Sequence, residues 1–384
     1  MTEFLIASID VLIKIAIVVG AALNIVPLCI YLERKISAYI QGRIGPNRVN
    51  FVIGDIRYLI PGMEGVLPAG LAGFPLIPGS LQPLADAIKL IFKEETIPAS
   101  ADKLLYYIAP ALAFIPVGTA LCFIPFGTPS WDFFGTGYIV NLQVAQANIG
   151  VVGLFAVSSL AIYGIACGGW GSGSKYPLMG AVRASAQMIS YEVAMGLAIV
   201  AAMATAGTVD LQRFVLDQAD GFQSFAWRAI DIFDWNIFKQ PLAALIFLVA
   251  AFAENNRLPF DLPEAEPELV AGYHTEYSGL KFGLFFLGEY TAMIVMCSLF
   301  VTMFLGGWSF PGLVDPASTT GLNALISGLV FLTKLLIILN FQIWIRWTLP
   351  RFRYDQLMHL GWKVLVPLAL ANLVVTAVVL TFWS

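Results

Sequence analysis

The chain has 384 residues, of which 59% are hydrophobic and only 12% charged, with a net charge of −4. Soluble domains run at roughly 45–50% apolar and about 25% charged, so a single water-soluble globule is excluded: there is too little polar material to cover the apolar remainder. The acidic balance also excludes a basic face that tracks phosphates, and with it nucleic-acid binding.

Runs long enough to cross a hydrocarbon core of about 30 Å lie at 9–31, 104–126, 144–167, 178–205, 282–305, 322–345 and 364–383. An eighth, 237–253, is shorter and spans only if Lys239 reaches the interface by its aliphatic stem. The start, MTEFLIASID, lacks a basic leader and a small-residue cleavage site, so the first run reads as a retained span. In lipid, backbone groups must be satisfied within the segment, which leaves helices for runs of this length. The expectation is an all-α integral membrane protein, one membrane domain over 1–384, with about eight transmembrane helices. Lysine and arginine set its orientation: sixteen fall in the connections after spans one, three, five and seven, and three in the opposite connections. The first connection (32–103) and an acidic one (254–281) therefore face the cytoplasm, with amphipathic helices and long loops on that side and both termini on the other.

The four cysteines, Cys29, Cys122, Cys167 and Cys297, lie in or at the ends of apolar runs at no metal-ligand spacing. His274 and His359 fall outside the runs, so no redox cofactor is expected on this chain. The first cytoplasmic connection opens with ERKISAYIQGRIGPNR, where a plain anchoring role competes with a shaped loop around Gly42, Gly45, Pro46 and Asn47. LQPLADAIKLIFKEE follows as an amphipathic helix, with Leu84, Ile88 and Phe92 on one face and Asp86, Lys89 and Lys93 on the other. In the fourth span Arg183, Gln187 and Tyr191 share one side, while Glu192 stands half a turn round from Arg183 and cannot pair with it within the helix.

The segment AENNRLPFDLPEAEPELVAGYHTEY carries Glu254, Asp261, Glu264, Glu266, Glu268 and Glu276 against one cation, Arg257. Interleaved Leu, Pro and Phe suit a segment folded back on a cavity better than a solvated acidic loop, and clustered carboxylates share protons. Glu289 extends the series into span six, and ionisable groups inside spans are functional candidates. Lys334 is expected to pair with a carboxylate, and Lys14, near the outer edge, to reach the interface. Arg346, Arg351 and Arg353 read either as anchors or as part of a site.

Together, ERK at 33–35, GRIGPN at 42–47, QPLADAIKL at 82–90, RASAQMISYEV at 183–193, ENNRLPFDLPEAEPELV at 254–270, GEYTAM at 288–293 and PRFRYDQLMHL at 350–360 resemble a membrane-subunit family of respiratory complex I, NADH:quinone oxidoreductase. That family is the one of the first mitochondrially encoded subunit, called the H subunit in bacteria. The resemblance implies a proton-translocating enzyme subunit that builds much of the quinone chamber. Arg34, Arg43, Asp86, Lys89, Arg183 and Arg346 would correspond to the chamber. Glu192, Glu254, Asp261, Glu264, Glu266, Glu268, Glu276 and Glu289 would form the proton path. It further implies quinone as substrate, FMN and iron–sulfur clusters on partner subunits, and contacts with hydrophilic-arm subunits, small membrane subunits and the lipid bilayer. The stretch 50–80 departs from the family pattern and points to a bacterial inner membrane rather than a mitochondrial one. The corresponding subunit of a membrane-bound hydrogenase-type complex and a standalone ion transporter are the competing readings.

Overall fold

The computed structural model describes residues 2–47, 79–129, 131–132, 139–219, 235–263, 266–316 and 318–383. Most of the Gly- and Pro-rich stretch 50–80, part of the loop 208–240, and Glu264 lie outside the described residues. The chain is a bundle of helices. Among the described residues, seven are long and apolar enough to cross a membrane, and Pro241–Glu254 is a shorter apolar helix beside them.

Helix α1 runs from Thr2 to Ile40. It thus continues through Glu33–Ile40, a stretch that the sequence places in the first loop, because no residue between Tyr31 and Ile40 breaks a helix. It stops at a left-handed Gly42, where the Arg43 amide donates to the Ala38 carbonyl at 2.7 Å and the Gly42 amide to Tyr39 at 3.0 Å. That pair of bonds satisfies carbonyls the helix end would otherwise strand. Helix α2 (Gln82–Phe92) is the amphipathic one, and its apolar face points away from the bundle: Phe92 is 83% exposed.

Helix α3 (Lys103–Ala120) starts on the Asp102 carboxylate, which accepts from the Leu104 and Leu105 amides. A two-residue antiparallel pair, β1 (Trp131–Asp132) with β2 (Ile139–Val140), follows it. The third span is broken at Ser159 into α4 (Gly150–Ser158) and α5 (Leu160–Gly171). Helix α5 packs tightly on α3 because Gly164 offers no side chain: a Cβ there would lie 2.3 Å from the Ala113 nitrogen. Small residues at such crossings let backbones approach closely in membranes.

Helix α6 (Lys175–Ala206) ends at left-handed Gly207, and α7 (Leu211–Ala219) lies buried beyond it. Helix α8 (Pro241–Glu254) leads into the acidic segment, and α9 (Gly279–Phe304) and α10 (Gly321–Thr348) follow. The chain finishes with α11 (Tyr354–His359), a π-helical turn over Leu360–Leu365, and α12 (Val366–Trp383). Burial ranks these spans: 72% of the α9 window is covered by protein, against 22% for α1 and 17% for α12. Helix α9 is therefore the most covered span, and α8 is buried along much of its length.

Lys334 corrects its expected pairing with a carboxylate. Its ammonium donates to the carbonyls of Leu305, Gly307 and Ser309 at 2.6, 3.0 and 2.6 Å and sits 4.3 Å over the Trp235 ring. The chain leaving α9 turns back at Gly306 and Gly307, so its free carbonyls reach the lysine before any acid does.

Candidate functional site

The site is assembled where α1, α9 and α10 meet the segment after α8. Helix α8 ends at Glu254, and the chain turns at left-handed Asn256 so that Arg257 points inward, 5% exposed. Its Nε lies 2.6 Å from Glu289 on α9, its Nη1 3.3 Å from Glu33 on α1, and its guanidinium 4.1 Å over the Tyr290 ring. Glu33 accepts from the Tyr290 hydroxyl at 2.6 Å and pairs through its other oxygen with Arg346 of α10 at 2.5 Å. Four charges of alternating sign, Arg346–Glu33–Arg257–Glu289, thus form one line, buried except at the part-exposed Arg346. Desolvated ions persist only when partnered this closely.

Beyond Glu289 lies a cavity of about 40 Å³, walled by Glu254, Asn255, Asn256 and Ser158 among apolar side chains of α3, α5, α6 and α9. That volume has room for roughly two or three waters. Glu254 is 7% exposed, and its Oε2 has no hydrogen-bond partner among the described residues. Next to the cavity, the Ser159 hydroxyl at the α4–α5 junction lies within hydrogen-bond reach of both the Phe155 carbonyl, at 2.7 Å, and the Glu192 carboxylate on α6. Glu192 in turn lies close enough to act electrostatically on Glu254. One polar track therefore connects the α6 carboxylate to the α1 and α10 ends of the bundle.

The side of α6 that carries Arg183, Gln187 and Tyr191 holds this segment in place. Arg183 pairs with Glu268 at 2.6 Å. Gln187 donates to the carbonyls of Ala253 and Phe260 at 2.7 and 2.8 Å, and Tyr191 to the Leu357 carbonyl at 2.9 Å. Arg351 pairs with buried Asp261 at 2.9 Å. Further along, Val270 adopts a left-handed φ of 66°, a conformation that β-branched residues rarely take.

The chain matches the NADH dehydrogenase family over residues 13–377. It is 47% identical over 367 residues to the first of the H subunits of NADH-quinone oxidoreductase in Geobacter metallireducens, covering 96% of this chain and 95% of that one. Similar matches are the H subunit from Bdellovibrio bacteriovorus, 43% identical over 391 residues with 96% and 95% coverage, and NADH-quinone oxidoreductase subunit 8 of Rhodothermus marinus, 41% identical over 378 residues with 96% of each covered. The chain belongs to the NADH dehydrogenase family.

Within this family member, the residues singled out from sequence fall into separate places. Glu192, Glu254 and Glu289 lie along the track, and Arg346 closes one end of it. Arg34 and Asp86 meet at 2.7 Å as a half-exposed pair between α1 and α2. Arg43 bonds to Gln41, and Lys89 is exposed on α2. Asp261 and Glu268 are held by Arg351 and Arg183. Glu276 contributes its backbone carbonyl to the Tyr106 hydroxyl at 2.9 Å. Glu264 and the Glu266 side chain are outside the described residues. Sequence reasoning misses two central groups, Glu33 and Tyr290. Glu33 looks like one more charge at a membrane exit, but its place as the last acid of an unbroken helix is the available signal.

Proposed function

We propose that this protein is the H subunit of a proton-pumping NADH:quinone oxidoreductase in a bacterial inner membrane. It lines the quinone chamber and links quinone reduction to proton translocation through its buried carboxylates. Its partners are the other subunits of that complex, and the FMN and iron–sulfur clusters that deliver electrons sit on them. The observation that carries this reading is the water-sized cavity with Glu254 and Glu289 on its walls, joined on one side to Glu192 and on the other to Arg257, Glu33 and Arg346. A carboxylate exchanges a proton with water or a neighbouring acid without moving its backbone, which is what a relay requires.

In this mechanism quinone reduction changes charge near the Arg346–Glu33 end. Arg257 redistributes between Glu33 and Glu289, and the proton affinity of Glu289 changes with the distance of its cation. Water in the cavity passes the proton between Glu289 and Glu254, and Ser159 orients Glu192 to receive it.

The test replaces Glu254 by Gln in the assembled complex. Proton pumping driven by quinone reduction should fall by roughly tenfold or more, while NADH oxidation by an artificial acceptor is retained. Wild-type pumping and quinone turnover in the fully assembled variant would contradict the relay. Purification by a C-terminal tag tests the assembly itself: NADH-oxidising flavin and iron–sulfur subunits are expected, and nickel–iron hydrogenase subunits would move the electron donor.

A further inference from the structure

Away from the carboxylate track, α1 and α10 diverge and leave a second space of about 310 Å³, closed at one end by the chain around Phe126 and Gln143. Its walls are apolar, formed by Ile17, Ala21 and Ile25 of α1 and Gly328, Phe331 and Leu335 of α10. Among the described residues, its one cationic lining group is Lys14. The rim opens at the surface of the chain, where Ile17 is 64% and Leu332 37% exposed.

The dimensions fit one leaflet. Lys14 and Ile25 are eleven residues apart, or about 16 Å of helix, close to half of a hydrocarbon core of about 30 Å. Lys14 and Glu33 are nineteen residues apart, about 28 Å, so the lysine lies at the interface opposite the carboxylate site. The groove thus runs from the headgroup level to the bilayer midplane, with its ammonium at the headgroup end. Three N–H donors on that ammonium leave room for a phosphate beside any partner within the chain.

We infer that the groove between α1 and α10 is a phospholipid site, holding one acyl chain with the lipid phosphate at Lys14. A quinone offers a similar tail but a neutral head, which makes no use of the lysine. A zwitterionic lipid satisfies the phosphate contact, while an anionic one also keeps the attraction of its net charge, so the site prefers anionic headgroups.

The test uses the assembled complex in vesicles of phosphatidylglycerol and phosphatidylethanolamine, with p-benzoylphenylalanine at Leu332 and, as a control, at Ile337, an exposed α10 residue outside the groove lining. Irradiation should attach a phospholipid at Leu332 with phosphatidylglycerol enriched about fivefold over the control, the worth of one lysine near a headgroup. Lys14→Gln should remove the enrichment. Gly328→Phe should remove the adduct by filling the groove; a Cβ at Gly328 meets nothing nearer than the Phe126 carbonyl oxygen at 4.0 Å, so the side chain has space to enter. A polypeptide or quinone adduct at Leu332, no adduct, or one matching the control and indifferent to Gly328→Phe would each overturn the site.

Discussion

Arg257 holds two carboxylates and an aromatic face at once, and no other lysine or arginine lies in the sequence between Lys239 and Lys281. Removing it leaves Glu289 without its guanidinium, while Glu33 keeps Arg346 and the Tyr290 hydroxyl, a loss of about 3–5 kcal/mol for a buried ion stripped of its partner. Arg257→Met should lower the thermal midpoint of the assembled complex, and Arg257→Met with Glu289→Gln should recover part of it, because the second change removes a stranded charge. Equal midpoints for the single and double variants would show that Arg257 is not what keeps Glu289 ionised. At this scale residue types are a partial guide. An acid inside an apolar run, such as Glu289, announces itself, whereas Glu33 depends on three residues more than 200 positions away. Lys334 is misread for a related reason: Gly306 and Gly307 mark a turn, but residue types do not say which side chain its carbonyls will meet.

Among the elements, the α3–α5 contact brings backbone atoms close beside the cavity, and it rests on Gly164. Gly164→Val should prevent these helices from seating and reduce the amount of assembled subunit in membranes severalfold, although valine suits a lipid-facing helix. Immunoblotting of native gels measures it, and normal assembly would mean that the helices separate without consequence. The apolar runs reveal these spans because hydrophobic length alone decides whether a helix can cross a bilayer. The break at Ser159 is not legible, since LFAVSSLAIYG reads as one continuous run. Ser159 at this junction is also the residue whose hydroxyl reaches Glu192. The interleaved apolar residues of the acidic segment do signal that it folds back. Which of its acids enters the cavity, and which is tied to an arginine, depends on helices distant in the chain.

For the molecule as a whole, one acid-sensitive point lies where the acidic segment returns to the membrane. His274, packed edge-on against Tyr273 and Phe282, has its pKa lowered by burial from 6.5 to about 4. The unfolded state therefore binds the proton more readily, so stability is full above about pH 6.5 and declines as pH falls toward 4. A thermal-shift series on the complex should show that decline, and His274→Phe should flatten it; an unchanged slope would assign the acid sensitivity to other groups. Composition makes the membrane character of the whole chain plain, because 12% charge cannot clothe 384 residues in water. The relation of the carboxylates to one another comes only from the folded chain.

The line Arg346–Glu33–Arg257–Glu289 contains two guanidinium groups and two carboxylates, so with all four ionised it is electrically neutral. A neutral body experiences no net force from the voltage across a membrane. One captured proton gives it a unit charge, and moving that charge through the full potential is worth about 2.3 kcal/mol per 100 mV. In the relay proposed above, the same four residues would therefore carry no net charge for the voltage to act on until a proton is captured, and a unit charge afterwards.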